Sequence, residues 1–200
     1  SAGNQSANAN GYSPANCNSV IAVGAVDRNG GKPAYSNFGN SLAISAPGGI
    51  DAADNAATNI LTTHNTGLTT ASSNNDTTKA VFGTSPAAAQ VSGVVSLMIS
   101  AYPGFTPALI KEVLQNTARK FPTGTTSAMP NPSQADCTTA TCGAGIVDAA
   151  AAVLAASKWV QAQPAVASGD YATVALNRQG TSLAWGITTY GGTGTVTTFP

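Results

Sequence analysis

Strand-forming and helix-forming patterns alternate along most of this chain, and this alternation restricts the fold more than any other feature. Two segments are typical of short buried strands: the β-branched run Ser19–Val26, which is bounded by turn residues, and Leu42–Gly49, which ends in Pro-Gly-Gly. From Pro86 the spacing changes, because apolar residues between Val91 and Ile99 recur as on one face of a helix. Strands and helices therefore share this chain, and its 200 residues suit one domain with an appendage.

Two further helices are predicted after the first. Phe105–Phe121 has Thr106 in the N-cap position, Pro107 at the first helical position and apolar residues on one face. A third helix is predicted over Ile146–Lys158, where alanines and other small apolar residues dominate.

Two other segments lack a helical pattern. Residues 51–80 are polar and contain one short strand candidate, Asn59–Thr63. Residues 159–200 alternate β-forming residues with glycine-containing turns, which predicts a β-rich C-terminal extension.

The composition excludes several classes of function. Eight basic and eight acidic residues give a formal net charge of zero, which removes the electrostatic signature of a protein that binds nucleic acid or an anionic membrane. An apolar fraction of 42% is too high for a disordered chain. No apolar run reaches the length of about 18 residues that a membrane-spanning helix needs.

The three cysteines bear on the cellular compartment. Cys137 and Cys142 lie five residues apart in a polar loop, a spacing that suits a small disulfide ring and an oxidising environment. Two free thiols are the alternative, whereas a metal site lacks further ligands nearby. Cys17 is left without a partner, which suggests a free thiol, an intermolecular bridge or a missing piece of polypeptide.

Ser85 stands at the start of the first predicted helix, directly after Gly83 and Thr84. The positive end of the helix dipole at this place favours negative charge on a bound carbonyl oxygen. On these residues alone, a helix N-cap is the ordinary explanation of the serine.

Eight short motifs occur in a fixed order along the chain: AGN, SPANCNSVIAVGAVD, YSNFG, ISAPGG, GTS, VSG, YPGFTPALIKEVLQNTA and CGAGIVDAAAA. Together they resemble the C-terminal part of the catalytic domain of subtilisin-like serine proteases, particularly the secreted bacterial branch, over roughly residues 1–155. The resemblance implies a three-layer α/β fold with a mostly parallel sheet, incomplete in this chain, over residues 1–158. The helix near Pro86 is expected to be buried through the centre of that fold.

The resemblance also implies the roles of individual residues. Ser85 matches the nucleophile, and its backbone N–H matches one donor to the oxyanion. Asn4 matches the asparagine whose side-chain amide is the second donor. Gln5, one residue out of phase on an extended segment, is expected to act on substrate preference. The pocket for the side chain preceding the scissile bond is expected along Ser1, Ala2 and Gly3, with Asn10, Gly11 and Tyr12 near its floor.

Other positions match or depart from the family pattern. Pro14 matches a proline that follows a cis peptide bond. Pro86 and Ala89 stand where the family usually has methionine and proline. Ala43 replaces an aspartate that helps some relatives to hold a weakly bound cation, so that site is not expected here. The resemblance implies no cofactor essential for the chemistry, and it leaves a structural calcium open without locating it.

No residue of this chain matches the family's catalytic base or the carboxylate that orients it. A serine hydroxyl needs such a base, and the family places the aspartate and the histidine upstream of the AGN motif. His64 does not match the family base and is expected to be a loop residue near the substrate cleft or an exposed one. The expected partners are therefore a protein or peptide substrate and an upstream half of the peptidase domain, carrying Asp, His and a cysteine for Cys17.

The sequence thus predicts a secreted serine endopeptidase, extracellular or periplasmic, whose chain is inactive without the upstream half. Two alternatives remain open. One is a protease-like pseudoenzyme that binds peptides without cutting them. The other is a secreted binding or structural module in which Ser85 only caps a helix.

Overall fold

The computed structural model describes residues 1–50, 56–73, 76–124, 135–159, 165–168, 172–176, 181–186 and 196–198. Its elements form a mixed α/β arrangement with a partial parallel sheet. No helix in these ranges is long and apolar enough to cross a membrane.

Two short parallel strands form the centre of the fold. Strand β1 is Val23–Val26 and strand β2 is Ile44–Pro47, paired in register. All four residues of β1 and the first three of β2 are buried, as expected for strands that are covered on both faces. Ser45 also forms a parallel bridge with Ile146, so the sheet continues beyond this pair. Both predicted strands are confirmed, with shorter bounds.

Helix α1, Thr84–Ala101, contacts both central strands and helix α4, Ala149–Trp159. Its buried side is apolar and recurs at helical spacing: Ala87, Val91, Val94 and Met98. The opposite side is exposed, with Leu97 accessible to 57%. The expectation that this helix is buried through the centre is therefore correct for one side only, because the described elements pack against one face.

Helix α2 is Pro107–Asn116. The Thr106 side chain accepts a hydrogen bond from the Leu109 N–H, and Pro107 occupies the first helical position, as predicted. The helix ends five residues before the predicted Phe121. The chain leaves the helix there because Arg119 exchanges two backbone hydrogen bonds with Ile146.

A disulfide joins Cys137 to Cys142, which confirms the predicted bridge, and Cys17 is free and exposed. The short helix α3, Thr139–Cys142, lies within the disulfide ring. Rings of Tyr102, Phe105 and Trp159 stack edge to face, connecting the segments after α1 and before α2 to the end of α4.

An antiparallel hairpin precedes α1. Strand β3, Ile60–Asn65, pairs with strand β4, Asp76–Val81. The prediction of a strand over Asn59–Thr63 is confirmed, whereas the sequence does not predict β4. Its Thr-rich sequence shows no apolar alternation, because the described residues of the hairpin are largely exposed.

The C-terminal segment contains a four-stranded antiparallel sheet in chain order: β5 (Ala165–Ser168), β6 (Ala172–Leu176), β7 (Thr181–Gly186) and β8 (Val196–Thr198). The predicted strand content of residues 159–200 is thus confirmed for the described part. A domain boundary between residues 158 and 159 stays a prediction, and the other residues of this extension lie outside the described ranges.

Candidate active site

Helix α1 begins after a glycine that no other residue could replace without strain. Gly83 has φ +130°, and its N–H donates to the Gly48 carbonyl at 2.8 Å and to the Tyr35 hydroxyl at 3.2 Å. Gly83 is the N-cap residue, so the helix starts at Thr84. Ser85 is the second helical residue and is exposed. It is therefore not the N-cap, which removes the ordinary explanation of this serine.

The Tyr35 side chain stabilises this turn by hydrogen bonds and by ring packing. Its hydroxyl lies 2.7 Å from the Gly48 carbonyl and 2.9 Å from the Gly49 carbonyl, so one proton is shared between two acceptors. Its ring packs edge to face on Phe82, with the centroids 5.2 Å apart. Burial raises the pKa of the Tyr35 hydroxyl, which keeps this group a neutral hydrogen-bonding partner.

The Asn4 carboxamide is fixed from its oxygen side. Its Oδ1 accepts from the Thr84 N–H at 2.9 Å and from the Thr84 hydroxyl at 2.9 Å. The Thr84 Oγ1 in turn accepts from the Gly3 N–H at 3.1 Å. A backbone N–H can only donate, so the atom that it meets must be the amide oxygen.

The Asn4 amide nitrogen is left on the other side, next to Gly83. A β-carbon placed on Gly83 would lie 3.2 Å from the Asn4 Nδ2. Within the described part of the chain, no protein group accepts a hydrogen bond from this nitrogen. The structure therefore brings an unused N–H₂ donor of Asn4 close to the start of α1.

The backbone at the start of α1 supplies a second donor. The first four N–H groups of a helix have no intrahelical acceptor, and Asn4 takes that of Thr84. The N–H of Ser85 follows, at the positive end of the helix dipole. Both donors therefore lie at or near the first turn of α1, where the helix dipole favours negative charge on an oxygen.

An open cavity of about 660 Å³ lies beside Ser85. Its walls come from the two strands of the hairpin and the first turns of α1: Ile60, Leu61, Thr62, Val81, Phe82, Ser85, Pro86, Ala89 and Gln90. The sequence does not predict the apolar walls from the hairpin. The signal for them is the exposure of large apolar side chains, since Leu61 is 56% and Phe82 38% accessible.

The two departures from the family motif, Pro86 and Ala89, both line this cavity. Its place after Ser85 in the sequence predicts Pro86 at the first helical position, but this prediction is wrong: the helix begins two residues earlier, and Pro86 is its third residue. A proline is tolerated there, since the N–H of that position has no intrahelical acceptor in any case. The Gln90 side chain donates to the carbonyls of Pro86 and Pro47, which ties this turn to β2.

His64 does not line the cavity beside Ser85. It is exposed on β3, opposite Thr77, and lines a different cavity with Thr63 and Asn65. The Ser85 cavity extends along β3 from Ile60 to Thr62, so His64 lies two residues, or about 7 Å along a strand, beyond the last β3 residue that lines it. No hydrogen bond joins His64 to Ser85 in the described part of the structure. His64 is exposed, as one of the two expectations has it, but it lies on a strand and not in a loop. That His64 is not the base stays a prediction.

The segment predicted to form a substrate pocket lies in part against the core. The Ala2 side chain is buried in a cluster with Ala9, Ala15, Ala22 and Leu42, so it cannot face a substrate. Ser1 is exposed, and Gly3 is half-buried. Asn10 and Gly11 end a 3₁₀ turn, Ala9–Gly11, which Tyr12 follows. None of these residues lines the cavity beside Ser85, and their role in substrate binding stays a prediction.

The Gln5 side chain is engaged within its own loop. Its oxygen turns back and accepts from the Asn4 N–H at 2.9 Å and from the Asn37 amide at 3.1 Å. Asn37 is fully buried, and the sequence does not predict it as a site residue. Only its position in the YSNFG motif marks it, and its contacts lie about thirty residues upstream along the chain.

The peptide bond between Ser13 and Pro14 is cis, as the resemblance implies. No group of three or more His, Cys, Asp or Glu side chains in the described ranges could hold a metal ion. Ala43, at the position of the cation-binding aspartate, is buried.

The sequence matches the model of the Subtilase family over residues 1–145. It is 42% identical to an extracellular protease of Xanthomonas campestris pv. campestris, over 78% of this chain and 23% of that protein. It is 34% identical to an extracellular basic protease of Dichelobacter nodosus, over 76% of this chain and 22% of that protein.

Among solved structures, a protease from Pseudoalteromonas arctica PAMC 21717 is similar, with a TM-score of 0.66 and 44% identity over 78% of this chain and 41% of that one. This chain thus spans less than a quarter of the length of the two relatives and less than half of the solved chain. The family match covers more than two thirds of the chain, and the structural likeness extends over a similar share. The chain belongs to the subtilase family and has a subtilisin-like α/β fold.

Proposed function

We propose that this chain carries the nucleophile and the oxyanion site of a secreted serine endopeptidase that hydrolyses peptide bonds in proteins and peptides. The observation that carries the proposal is the Asn4 carboxamide, whose oxygen is held by Thr84 while its nitrogen lies unused beside Gly83. This nitrogen is therefore available to donate to a bound oxygen near the start of α1.

In the proposed reaction the Ser85 Oγ attacks the carbonyl carbon of the scissile peptide bond, and a base takes the hydroxyl proton. The carbonyl oxygen becomes an oxyanion and accepts hydrogen bonds from the Asn4 Nδ2 and the Ser85 N–H. The base returns the proton to the leaving amine as the C–N bond breaks, which leaves an acyl-enzyme on Ser85. A water molecule, activated by the same base, then releases the acid and restores the serine.

The base and its orienting carboxylate are proposed to lie on polypeptide outside these 200 residues. His64 is placed at the far part of the hairpin, and this chain corresponds to less than half the length of its relatives. The exposed face of α1 supports such a partner, because a helix that is apolar on most sides is usually covered. A side chain at Gly93 on that face would meet nothing within 4 Å. Cys17, free and exposed, is proposed to pair with a cysteine of the same partner segment.

Secretion is proposed from two observations. The disulfide between Cys137 and Cys142 suits an oxidising compartment, and the two relatives above are named extracellular proteases. A structural calcium site remains an open proposal without located ligands, and no cofactor is proposed for the chemistry.

Hydrolysis of a chromogenic peptide by the full-length protein tests this function. Ser85→Ala is expected to lower kcat by about a millionfold, and Asn4→Leu by about 10²–10³ with little change in KM. Both magnitudes are those that the equivalent substitutions produce in subtilisin, a member of the same family. Ser92→Ala is the matched control, since Ser92 is an exposed serine of the same helix whose hydroxyl bonds only to the Ala88 carbonyl.

Activity that survives Ser85→Ala would contradict the proposed nucleophile. A full-length protein that binds peptides but never cuts them would instead support the pseudoenzyme. Absence of both binding and cleavage would leave a structural module.

A further inference from the structure

The Asn37 side chain is completely buried, and all of its hydrogen bonds reach one distant segment of the chain. Its Oδ1 accepts from the backbone N–H of Gln5 at 2.9 Å and of Ala7 at 3.1 Å. Its Nδ2 donates to the Ala2 carbonyl at 3.0 Å and to the Gln5 side-chain oxygen at 3.1 Å. The Asn37 backbone N–H donates to the Gly3 carbonyl at 3.0 Å. Both ends of the amide are therefore used within residues 2–7.

Residues 1–7 have no helix or strand of their own to fix their path. Gly3 has φ +103° and Ser6 has φ +53°, so the backbone follows an irregular course that needs external support. A β-carbon at Gly3 would collide with the Asn37 amide nitrogen, so the loop lies directly against this side chain. The Asn37 side chain thus fixes the path of this segment by its hydrogen bonds to the backbone of residues 2, 5 and 7.

Gly3 and Asn4 are the residues of this segment that hydrogen-bond to Thr84 at the start of α1, and Asn4 does so through its side chain. The Gln5 side chain connects it to Asn37, because one oxygen accepts from the Asn37 Nδ2 at 3.1 Å and from the Asn4 N–H at 2.9 Å. A continuous path of hydrogen bonds therefore runs from a fully buried amide to the backbone of Asn4.

We propose that Asn37, with Gln5 as its relay, is a positioning residue that sets the Asn4 amide against the oxyanion. This inference rests on the proposed function. Asn37 touches neither substrate nor reacting atoms, so it acts only through Asn4. An amide donor displaced by about 1 Å loses most of its effect on a developing charge, and such displacements cost up to about 10²-fold in rate.

A double-mutant cycle in the full-length protein tests the proposal. Asn37→Ala is expected to lower kcat by about 10- to 100-fold with KM changed by less than about twofold, as measured per titrated active site. In an Asn4→Leu background the same substitution is expected to have no further effect on kcat, because the donor that it positions is already absent.

Ser45→Ala is the matched control. Ser45 is also fully buried, and its hydroxyl donates to the Cys142 carbonyl at 2.7 Å, away from Asn4. This variant is expected to lose stability and to keep kcat. A kcat lowered equally by Ser45→Ala and Asn37→Ala would overturn the proposal, since general destabilisation would then explain both.

Gln5→Leu decides the matter if Asn37→Ala fails to fold, because Gln5 is exposed and its loss leaves the core intact. In place of the effect on substrate preference expected from the sequence, it is expected to lower kcat in the wild-type background and to have no effect in the Asn4→Leu background, because its side chain bonds to Asn4 and Asn37. An unchanged kcat, or an equal loss in both backgrounds, overturns the positioning role. The proposed function fails separately, since it requires that Ser85→Ala abolish activity whatever the Asn37 variants do.

Discussion

At the scale of single residues, the site depends on the Asn4 and Tyr35 side chains, which hydrogen-bond to the backbone at the start of α1. The oxygen of Asn4 has two donors in Thr84, whereas its nitrogen has no protein acceptor in the described ranges. Below Gly83, the Tyr35 hydroxyl is engaged as both donor and acceptor. The backbone before Ser85 is thereby fixed without any contact to the serine hydroxyl itself.

Tyr35 also gives the protein a dependence on alkaline pH. Burial raises the pKa of its hydroxyl above the ordinary value of about 10. Below about pH 10 the group is protonated in both folded and unfolded chains, and its contribution to stability is constant. At higher pH the unfolded chain ionises first, so the free energy of unfolding falls until the folded group ionises as well. Lys32 acts in the opposite sense, because burial lowers its pKa and stability rises as it loses its proton.

Tyr35→Phe is therefore expected to be less stable than the parent at about pH 8, by about 1–2 kcal/mol, since three backbone groups lose a partner. The difference in the free energy of unfolding between the parent and Tyr35→Phe should narrow at about pH 11, because only the parent loses stability through ionisation of Tyr35. Lys32 is present in both proteins and cancels. Unfolding midpoints in the full-length Ser85→Ala background, which prevents self-digestion, measure this difference. A difference that widens with pH would show that the sign of the Tyr35 effect is wrong.

Single residues also mark the limit of what the sequence predicts. Asn4 and Ser85 can be proposed as site residues because each stands in a short motif that resembles one of the family. The sequence does not predict a role for Asn37, because that role depends on hydrogen bonds to a segment about thirty residues away along the chain. The sequence does not predict the contacts of Gln5 either. Periodicity along an extended segment cannot indicate that a side chain folds back on its own loop.

At the scale of elements, local signals predict the helices well and the hairpin poorly. The Thr106 cap and Pro107 locate the start of α2, but its end depends on the pairing of Arg119 with Ile146, which no local pattern encodes. Strand β4 carries no apolar alternation, because it belongs to a hairpin that does not cover a core. For the same reason, the sequence does not predict the apolar hairpin residues that line the cavity beside Ser85.

The exposed face of α1 leads to a prediction about the full-length protein. Gly93→Leu adds a side chain where this chain has open space, so it is harmless here but is expected to clash with a covering partner segment. The full-length variant should lose about 1–3 kcal/mol of stability by overpacking. Ala108→Leu, an exposed position of α2, is the control and should be neutral. Equal thermal unfolding midpoints for the two variants would mean that nothing covers this face.

At the scale of the whole molecule, the chain contains the proposed nucleophile and the two proposed oxyanion donors, whereas no histidine is hydrogen-bonded to Ser85 in the described structure. His64 lies on β3, two residues beyond Thr62, the last residue of that strand that lines the Ser85 cavity. The two halves of the chemistry are therefore proposed to come from different parts of a longer polypeptide, which meet along the exposed face of α1.

The most direct test of this account is labelling with a fluorophosphonate, followed by mass mapping of the adduct. The reagent reacts with a serine only when a base activates it. The full-length protein is expected to carry the adduct on Ser85, with or without His64→Ala, whereas the isolated 200-residue chain is expected to remain unlabelled. An adduct on another serine, or labelling of Ser85 in the isolated chain that His64→Ala abolishes, would contradict the account.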